Sequence, residues 1–101
     1  MNEDRVHLSR SGAGAGTHWA WLDEHGWLIV EWYDHGPNAL YESANRLRFA
    51  PLAAAALLEL NAPTGQEMLN LLQQRFGTFW DVRRAALGRE IAFTTEADFL
   101  P

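Results

Sequence analysis

The histidines of this chain are the first residues to consider for chemistry, because all four lie before Pro37. A metal ion would need several of them at one point. His25 and His35 fall at opposite ends of a predicted β-hairpin, about 30 Å apart at about 3.3 Å per residue, so one ion cannot bind both. We therefore predict no metal centre.

His18 and Asp34 are the best candidates for a pair that transfers a proton. On the predicted hairpin they are diagonal neighbours on one face, a separation that long side chains can bridge. A catalytic or metal-binding role is one interpretation, and a hydrogen-bonded pair at the edge of a sheet is the other. We favour the hydrogen-bonded pair.

Glu31 is a carboxylate on an otherwise aromatic face of the predicted hairpin. If that face is covered, the side chain needs a cation, because an unpaired buried charge is costly. Arg46 or Arg48 of the same chain could supply the cation, and so could an arginine or lysine of a binding partner. The sequence leaves both alternatives open.

Sequence motifs of enzymes are not found. The chain has no cysteine, which excludes a disulfide framework, a thiolate metal site and a cysteine nucleophile. Gly12, Gly14 and Gly16 form a Gly-Ala run before a predicted strand, without the preceding strand and following Lys-Ser or Lys-Thr of a phosphate-binding loop. A Gly-flanked serine elbow and a two-histidine helix motif are also missing. We predict that the protein is not an enzyme and uses no cofactor.

Residues 17–34 predict the β-hairpin that would position these side chains. The sequence Glu24, His25, Gly26 suits a three-residue turn with Gly26 in the left-handed conformation. That turn places Asp23 opposite Trp27. It also predicts the cross-strand pairs Leu22 with Leu28, Trp21 with Ile29, Ala20 with Val30, Trp19 with Glu31, and His18 with Trp32.

The predicted hairpin is apolar on both faces, which a small domain can rarely cover. Side chains alternate along a strand, so each strand contributes apolar residues to both sides. One face carries Trp19, Trp21, Trp27, Ile29 and Tyr33. The other face carries Ala20, Leu22, Leu28, Val30 and Trp32. Something must shield the second of these faces.

The remainder of the chain predicts one domain with an arm. Residues 1–16 are polar and end in a Gly-Ala run, so we expect a flexible arm in which Val6 and Leu8 could cover part of the aromatic face. Residues 17–101 form the single domain expected for a chain of 101 residues. Leu47 and Phe49 suit a third strand, residues 39–45 are ambiguous, and residues 89–95 predict a last strand.

Three helices are predicted between those strands. Pro51 suits the first position of a helix that continues to Leu60. Thr64 with Glu67 has the spacing of a capping box before a second helix that Gly77 ends, and Thr78 with Asp81 repeats that spacing before a third helix that Gly88 ends. The predicted fold is α+β, with a small antiparallel sheet led by the N-terminal hairpin and two or three helices on one face.

The charge of the chain disfavours nucleic-acid binding. The net charge is −5, and the acidic residues between positions 11 and 45 have no arginine or lysine among them. Such a field repels phosphate backbones and would speed encounter with a basic protein. Phe79 and Trp80 stand where a helix-turn-helix protein would need base-reading polar side chains. The longest apolar stretch is too short to span a bilayer, so we expect a cytoplasmic protein.

These observations favour a protein-binding module over an enzyme. Exposed aromatic side chains beside acidic ones are typical of an interface, and an inhibitor or immunity-type protein for a basic target such as a nuclease would fit them. The alternatives are a homodimer formed through the aromatic face, and a protein that binds a small ligand there. The predicted partner-binding residues are Trp19, Trp21, Asp23, Glu24, Trp27, Glu31, Tyr33 and Asp34.

Overall fold

A computed structural model describes residues 5–8, 16–34 and 42–100, with the backbone alone for residues 34, 42 and 98–100. Five strands form one antiparallel sheet in the order in which they occur in the chain. They are β1 (Val6–His7), β2 (Thr17–Leu22), β3 (Leu28–Asp34), β4 (Glu42–Phe49) and β5 (Thr94–Leu100). Three helices accompany the sheet, so the predicted α+β fold is confirmed.

The hairpin of β2 and β3 has the predicted turn and register. Each of the predicted cross-strand pairs is present, from Leu22 with Leu28 to His18 with Trp32. Gly26 has a φ of 82°, in the left-handed region that its position requires. The Asp23 carboxylate accepts hydrogen bonds from the backbone N–H groups of His25 and Trp27 at 2.8 and 3.0 Å, which fixes the turn.

Residues 5–8 form an edge of the sheet, although we expected them in a flexible arm. Val6 and His7 pair with Ala20 and Trp19 of β2. Leu8 is buried in the core, and its N–H donates to the carbonyl of His18 at 2.7 Å. Burial of Leu8 and pairing with β2 outweigh the polar composition of the segment. Residues 1–4 and 9–15 of the expected arm lie outside the described residues.

The third strand is confirmed as β4, whereas the last strand begins later than predicted. β5 starts at Thr94, because Glu90 adopts a left-handed conformation with a φ of 58° and the chain then crosses towards the sheet without strand pairing. Ile91 and Phe93 pack against the core from this connection. Their alternation with polar residues reflects burial of one side of an extended segment.

The helices are α1 (Pro51–Leu57), α2 (Gln66–Arg75) and α3 (Phe79–Gly88). The Thr78 hydroxyl accepts from the N–H of Asp81 at 3.1 Å, so the predicted cap of α3 is confirmed. The predicted capping box at Thr64 is wrong, because Gly65 occupies the N-cap of α2 with a φ of 71° and no side-chain hydrogen bond caps that helix.

The C-terminal end of α1 is held by arginines from the other two helical segments. Arg75 donates to the carbonyl of Leu58 at 2.7 Å. Arg89, at the end of α3, donates to the carbonyls of Leu57 and Ala56 at 2.9 and 2.8 Å. The guanidinium groups bind these carbonyls at the end of the helix where the helix dipole favours positive charge, and the carbonyl of Ala56 also accepts from the backbone N–H of Glu59 at 3.1 Å.

The hydrophobic core lies between the helices and one face of the sheet, which we call the helix-side face. α2 packs on β1 and β2, α3 on β3, and α1 on β4. The core side chains of the strands belong to one alternating set, as a single buried face requires. They are Leu8, Ala20, Leu28, Val30, Leu47 and Phe49.

Candidate functional site

The other face of the sheet, which we call the outer face, carries most of the predicted partner-binding residues. Trp19, Trp21, Trp27, Glu31 and Tyr33 lie on it, because they alternate with the core residues of β2 and β3. Cross-strand pairing adds Arg48 opposite Ile29 and Arg46 opposite Glu31. The sequence therefore identified one face correctly, but it did not indicate how that face is covered.

Glu31 is the buried charge of the outer face, with 4 % of its surface exposed. Its carboxylate accepts hydrogen bonds from the indole Nε1 of Trp19 and from Nε of Arg46, the latter at 2.8 Å. Arg46 also lies 3.6 Å from the carboxylate of Glu96 on β5. Of the two alternatives for Glu31, the cation comes from the same chain. The carboxylate is therefore already satisfied and is not a free acceptor for a partner.

Arginines cover the indole rings of the outer face. The guanidinium of Arg5 lies over Trp19 and Trp21, at 4.6 and 4.1 Å from the ring centroids. The guanidinium of Arg48 lies 5.6 Å from the centroid of the Trp27 ring. All three distances are within the range at which a cation is attracted by an aromatic ring. The three indoles are consequently half-buried, and the expectation of a freely exposed aromatic patch is corrected.

The outer face is also less acidic than the sequence suggested. Asp23 lies 3.5 Å from Arg48, and Glu31 and Glu96 pair with Arg46. Strand pairing thus brings the acidic hairpin and the basic β4 segment, which are separate in the sequence, into contact on one surface. Among the described side chains of the outer face, three carboxylates in ion pairs accompany three guanidinium groups when Arg5 is included, so the formal charges of these six groups balance.

The remaining predicted residues occupy different environments. Glu24 is exposed at the turn, where its carboxylate lies 3.2 Å from His25. Tyr33 is half-buried on the outer face. The side chain of Asp34 lies outside the described residues. A pairing of Asp34 with His18 therefore stays a prediction, and His18 itself has a different described partner.

His18 lies on the helix-side face and links β2 to the first turn of α3. Its ring is 4 % exposed, and its Nδ1 accepts a hydrogen bond from the backbone N–H of Phe79 at 2.9 Å. This bond assigns the ring proton to Nε2, which is buried and has no hydrogen-bond partner among the described residues. Burial lowers the pKa of His18 below its usual 6.5, against a smaller opposing effect of Asp81.

A groove on the helix-side face was not indicated by the sequence. It lies where β4 and β5 extend past α3, and it encloses about 390 Å³. Its walls include Trp80 and Arg83 of α3, Asn45 of β4, and Thr95 of β5. Trp80 is 42 % exposed, although it belongs to an amphipathic helix. An aromatic residue outside the apolar stripe of α3 was the sequence signal that could have indicated the groove.

The described part of the chain holds neither a candidate metal cluster nor a helix that could span a membrane. No group of three histidine, aspartate or glutamate side chains there converges in a way that could hold a metal ion. None of the described helices has the length and apolar character needed to cross a bilayer. No protein-family model matches the chain, and no curated protein or solved structure is significantly similar to it.

Proposed function

We propose that this protein is a protein-binding module that presents the outer face of its sheet to a partner. The observation that carries the proposal is the layer of three half-buried indoles lying beside Arg5, Arg46 and Arg48 on a face that no described helix covers. Tryptophan, tyrosine and arginine are the residue types that dominate the binding energy of protein interfaces.

Contacts among these side chains fix their conformations, which supports the same function. Trp19 donates to Glu31, Glu31 accepts from Arg46, and Arg5 stacks on Trp19. Side chains that are fixed before binding lose less conformational entropy when a partner arrives. A partner that packs against this surface would meet rings and guanidinium groups already in place. Each of them still has part of its surface exposed to make contacts.

The charge distribution refines the kind of partner. Because the carboxylates and arginines of the outer face balance, we expect the contact itself to be of mixed polarity. The net charge of −5 acts at longer range and would speed encounter with a basic protein. Inhibition of a basic target such as a nuclease is therefore the more specific form of the proposal. In this form, the net charge speeds the encounter with the target and the outer face binds it.

Affinity capture with matched surface variants tests the proposal. The immobilised protein is incubated with extract of the encoding organism, and retained proteins are quantified for wild type, Trp21→Ala, Trp27→Ala and Leu52→Ala. Leu52 is the control, because its side chain is 72 % exposed on α1 and does not belong to the outer face. We expect a defined partner that binds wild type and Leu52→Ala and is lost from both tryptophan variants. Circular dichroism verifies that every variant is folded.

Other results would contradict this function. If the same proteins are retained by all four variants, the outer face does not bind them. Light scattering after size exclusion distinguishes the homodimer. A doubled mass that returns to that of one chain in Trp21→Ala would mean that the outer face serves self-association. A captured nuclease that remains fully active in the complex would overturn the inhibitor form of the proposal alone.

A further inference from the structure

The groove between α3 and β5 combines polar groups that have no partner in the described part of the chain. Six of the seven arginines described there contact a carboxylate, a backbone carbonyl or an aromatic ring. Arg83 is the exception, since its guanidinium is exposed at the groove with no such contact. The amide of Asn45 and the hydroxyl of Thr95 also line the groove without a hydrogen bond to described residues.

An aromatic wall stands beside these groups. The ring of Trp80 packs edge-on against Phe79, with centroids 4.8 Å apart, and lies 5.2 Å from the ring of Trp32. Those contacts hold the indole in position while 42 % of the residue remains exposed. Leu47 and Ala97 add further apolar surface from the strands. A flat apolar molecule could therefore stack on an indole that does not need to be ordered first.

The acidic residue nearest the groove does not neutralise Arg83. Glu96 lines the groove through β5, but its carboxylate lies within 4 Å of Arg46 and Arg48. Arg48 lies on the outer face, and Arg46, which also lines the groove, is engaged by Glu31 and Glu96. Arg83 consequently remains the charge that a ligand would meet on the helix-side face. The volume of about 390 Å³ lies within the range of small-molecule sites, which is about 300 to 1,000 Å³.

We propose that the groove between α3 and β5 binds a small aromatic carboxylate. The ring stacks on Trp80, and the carboxylate accepts charge-assisted hydrogen bonds from the guanidinium of Arg83. Asn45 can donate to or accept from a further polar substituent of the ligand. This proposal concerns the groove and not the indoles of the outer face, so it can be tested independently of the protein-binding function.

A titration followed by nuclear magnetic resonance tests the site with three probes. These are 1-naphthoate, its neutral analogue 1-naphthamide, and acetate, which has the charge without the ring. We expect 1-naphthoate to shift the indole N–H of Trp80 and the backbone amides of Thr95 and Ala97. Because the amide lacks the charge and acetate lacks the ring, each should bind at least about tenfold more weakly.

Two neighbouring arginines of α3 provide matched variants. Arg83→Gln should weaken 1-naphthoate binding about tenfold, whereas Arg84→Gln should change it less than about twofold. Arg84 is exposed on the same helix but pairs with Asp81 at 3.4 Å and does not line the groove. The proposal is overturned if 1-naphthoate shifts none of the three resonances at millimolar concentration, if 1-naphthamide binds equally well, or if both variants lose affinity alike.

Discussion

The two faces of the sheet are protected from water by different means. On the helix-side face, apolar side chains such as Val30 and Phe49 are fully buried beneath α1, α2 and α3. On the outer face, indole rings and guanidinium groups pack against one another, and each ring remains half-exposed. The comparison shows that a small domain can carry a sheet that is apolar on both sides if arginines of its own strands cover the second side.

Among the described residues, each face contains one buried polar side chain, and the two are satisfied to different degrees. Glu31 on the outer face accepts from both Trp19 and Arg46. His18 on the helix-side face uses Nδ1 to accept from Phe79, while its buried Nε2 has no partner. Burial of the His18 imidazole lowers its pKa and so favours its neutral form.

The largest difference between the faces should appear when one large ring is removed from each. Phe49→Ala should lower the free energy of unfolding by about 3 to 5 kcal/mol, because the ring is fully buried and leaves a cavity. Trp21→Ala should cost only about 1 to 2 kcal/mol, because its indole is half-exposed and loses mainly the contact with Arg5. Urea unfolding measures both values. If Phe49→Ala does not fold, Phe49→Leu replaces it. A greater loss for Trp21→Ala would show that the outer face is the true core.

A smaller effect should separate buried from exposed charge on the outer face. Glu31→Gln should destabilise the protein by about 1 to 3 kcal/mol, because Arg46 loses a buried charged acceptor. Glu96→Gln is the control, and its cost should stay below about 1 kcal/mol since its carboxylate is 45 % exposed. The two variants are compared by thermal unfolding at low and high salt. Equal losses of stability in the two variants would mean that Glu31 is not held by Trp19 and Arg46 as in the structure.

The smallest effect should be the pH dependence that His18 gives to the helix-side face. Because burial lowers the pKa of His18 in the folded protein, the unfolded chain binds this proton more strongly than the folded protein does. The free energy of unfolding should therefore fall as the pH drops below about 6.5, by at most about 1.4 kcal/mol per pH unit from this residue.

His18→Asn isolates that contribution, since the amide oxygen can accept from the N–H of Phe79 in place of Nδ1. Urea unfolding at a series of pH values should show a weaker dependence for this variant than for wild type. His25→Gln serves as the control, because His25 lies exposed at the hairpin turn. If His18→Asn and wild type lose stability in parallel, His18 does not couple protonation to folding.

Local chemistry explains which parts of the fold could be predicted from the sequence. The hairpin register depends on Asp23 and Gly26, and the cap of α3 depends on Thr78 and Asp81, so each is determined within a few residues. The start of β5 depends instead on a left-handed glutamate, which has no sequence signature comparable to glycine. Amino-acid composition alone therefore could not predict the left-handed conformation of Glu90.

The candidate site was only partly predictable because its contacts join distant segments. Alternation along β2 and β3 was enough to group the tryptophans with Glu31, and Arg46 was one of two arginines considered for it. The position of Arg5 over Trp19 depends on the pairing of β1 with β2. The sequence of a two-residue strand is too short to predict that pairing. The groove beside Arg83 joins residues of α3, β4 and β5, which are far apart in the sequence.

The arginines at the end of α1 have a consequence for how the helical layer unfolds. With seven residues, α1 is too short to persist alone, and a helix of that length is far below the roughly 12 to 15 residues needed in isolation. Its terminal carbonyls are held by Arg75 of α2 and by Arg89, the C-cap residue of α3. Fraying of α1 must therefore break hydrogen bonds to both neighbouring helices, so its last turn is held by more than its own backbone bonds.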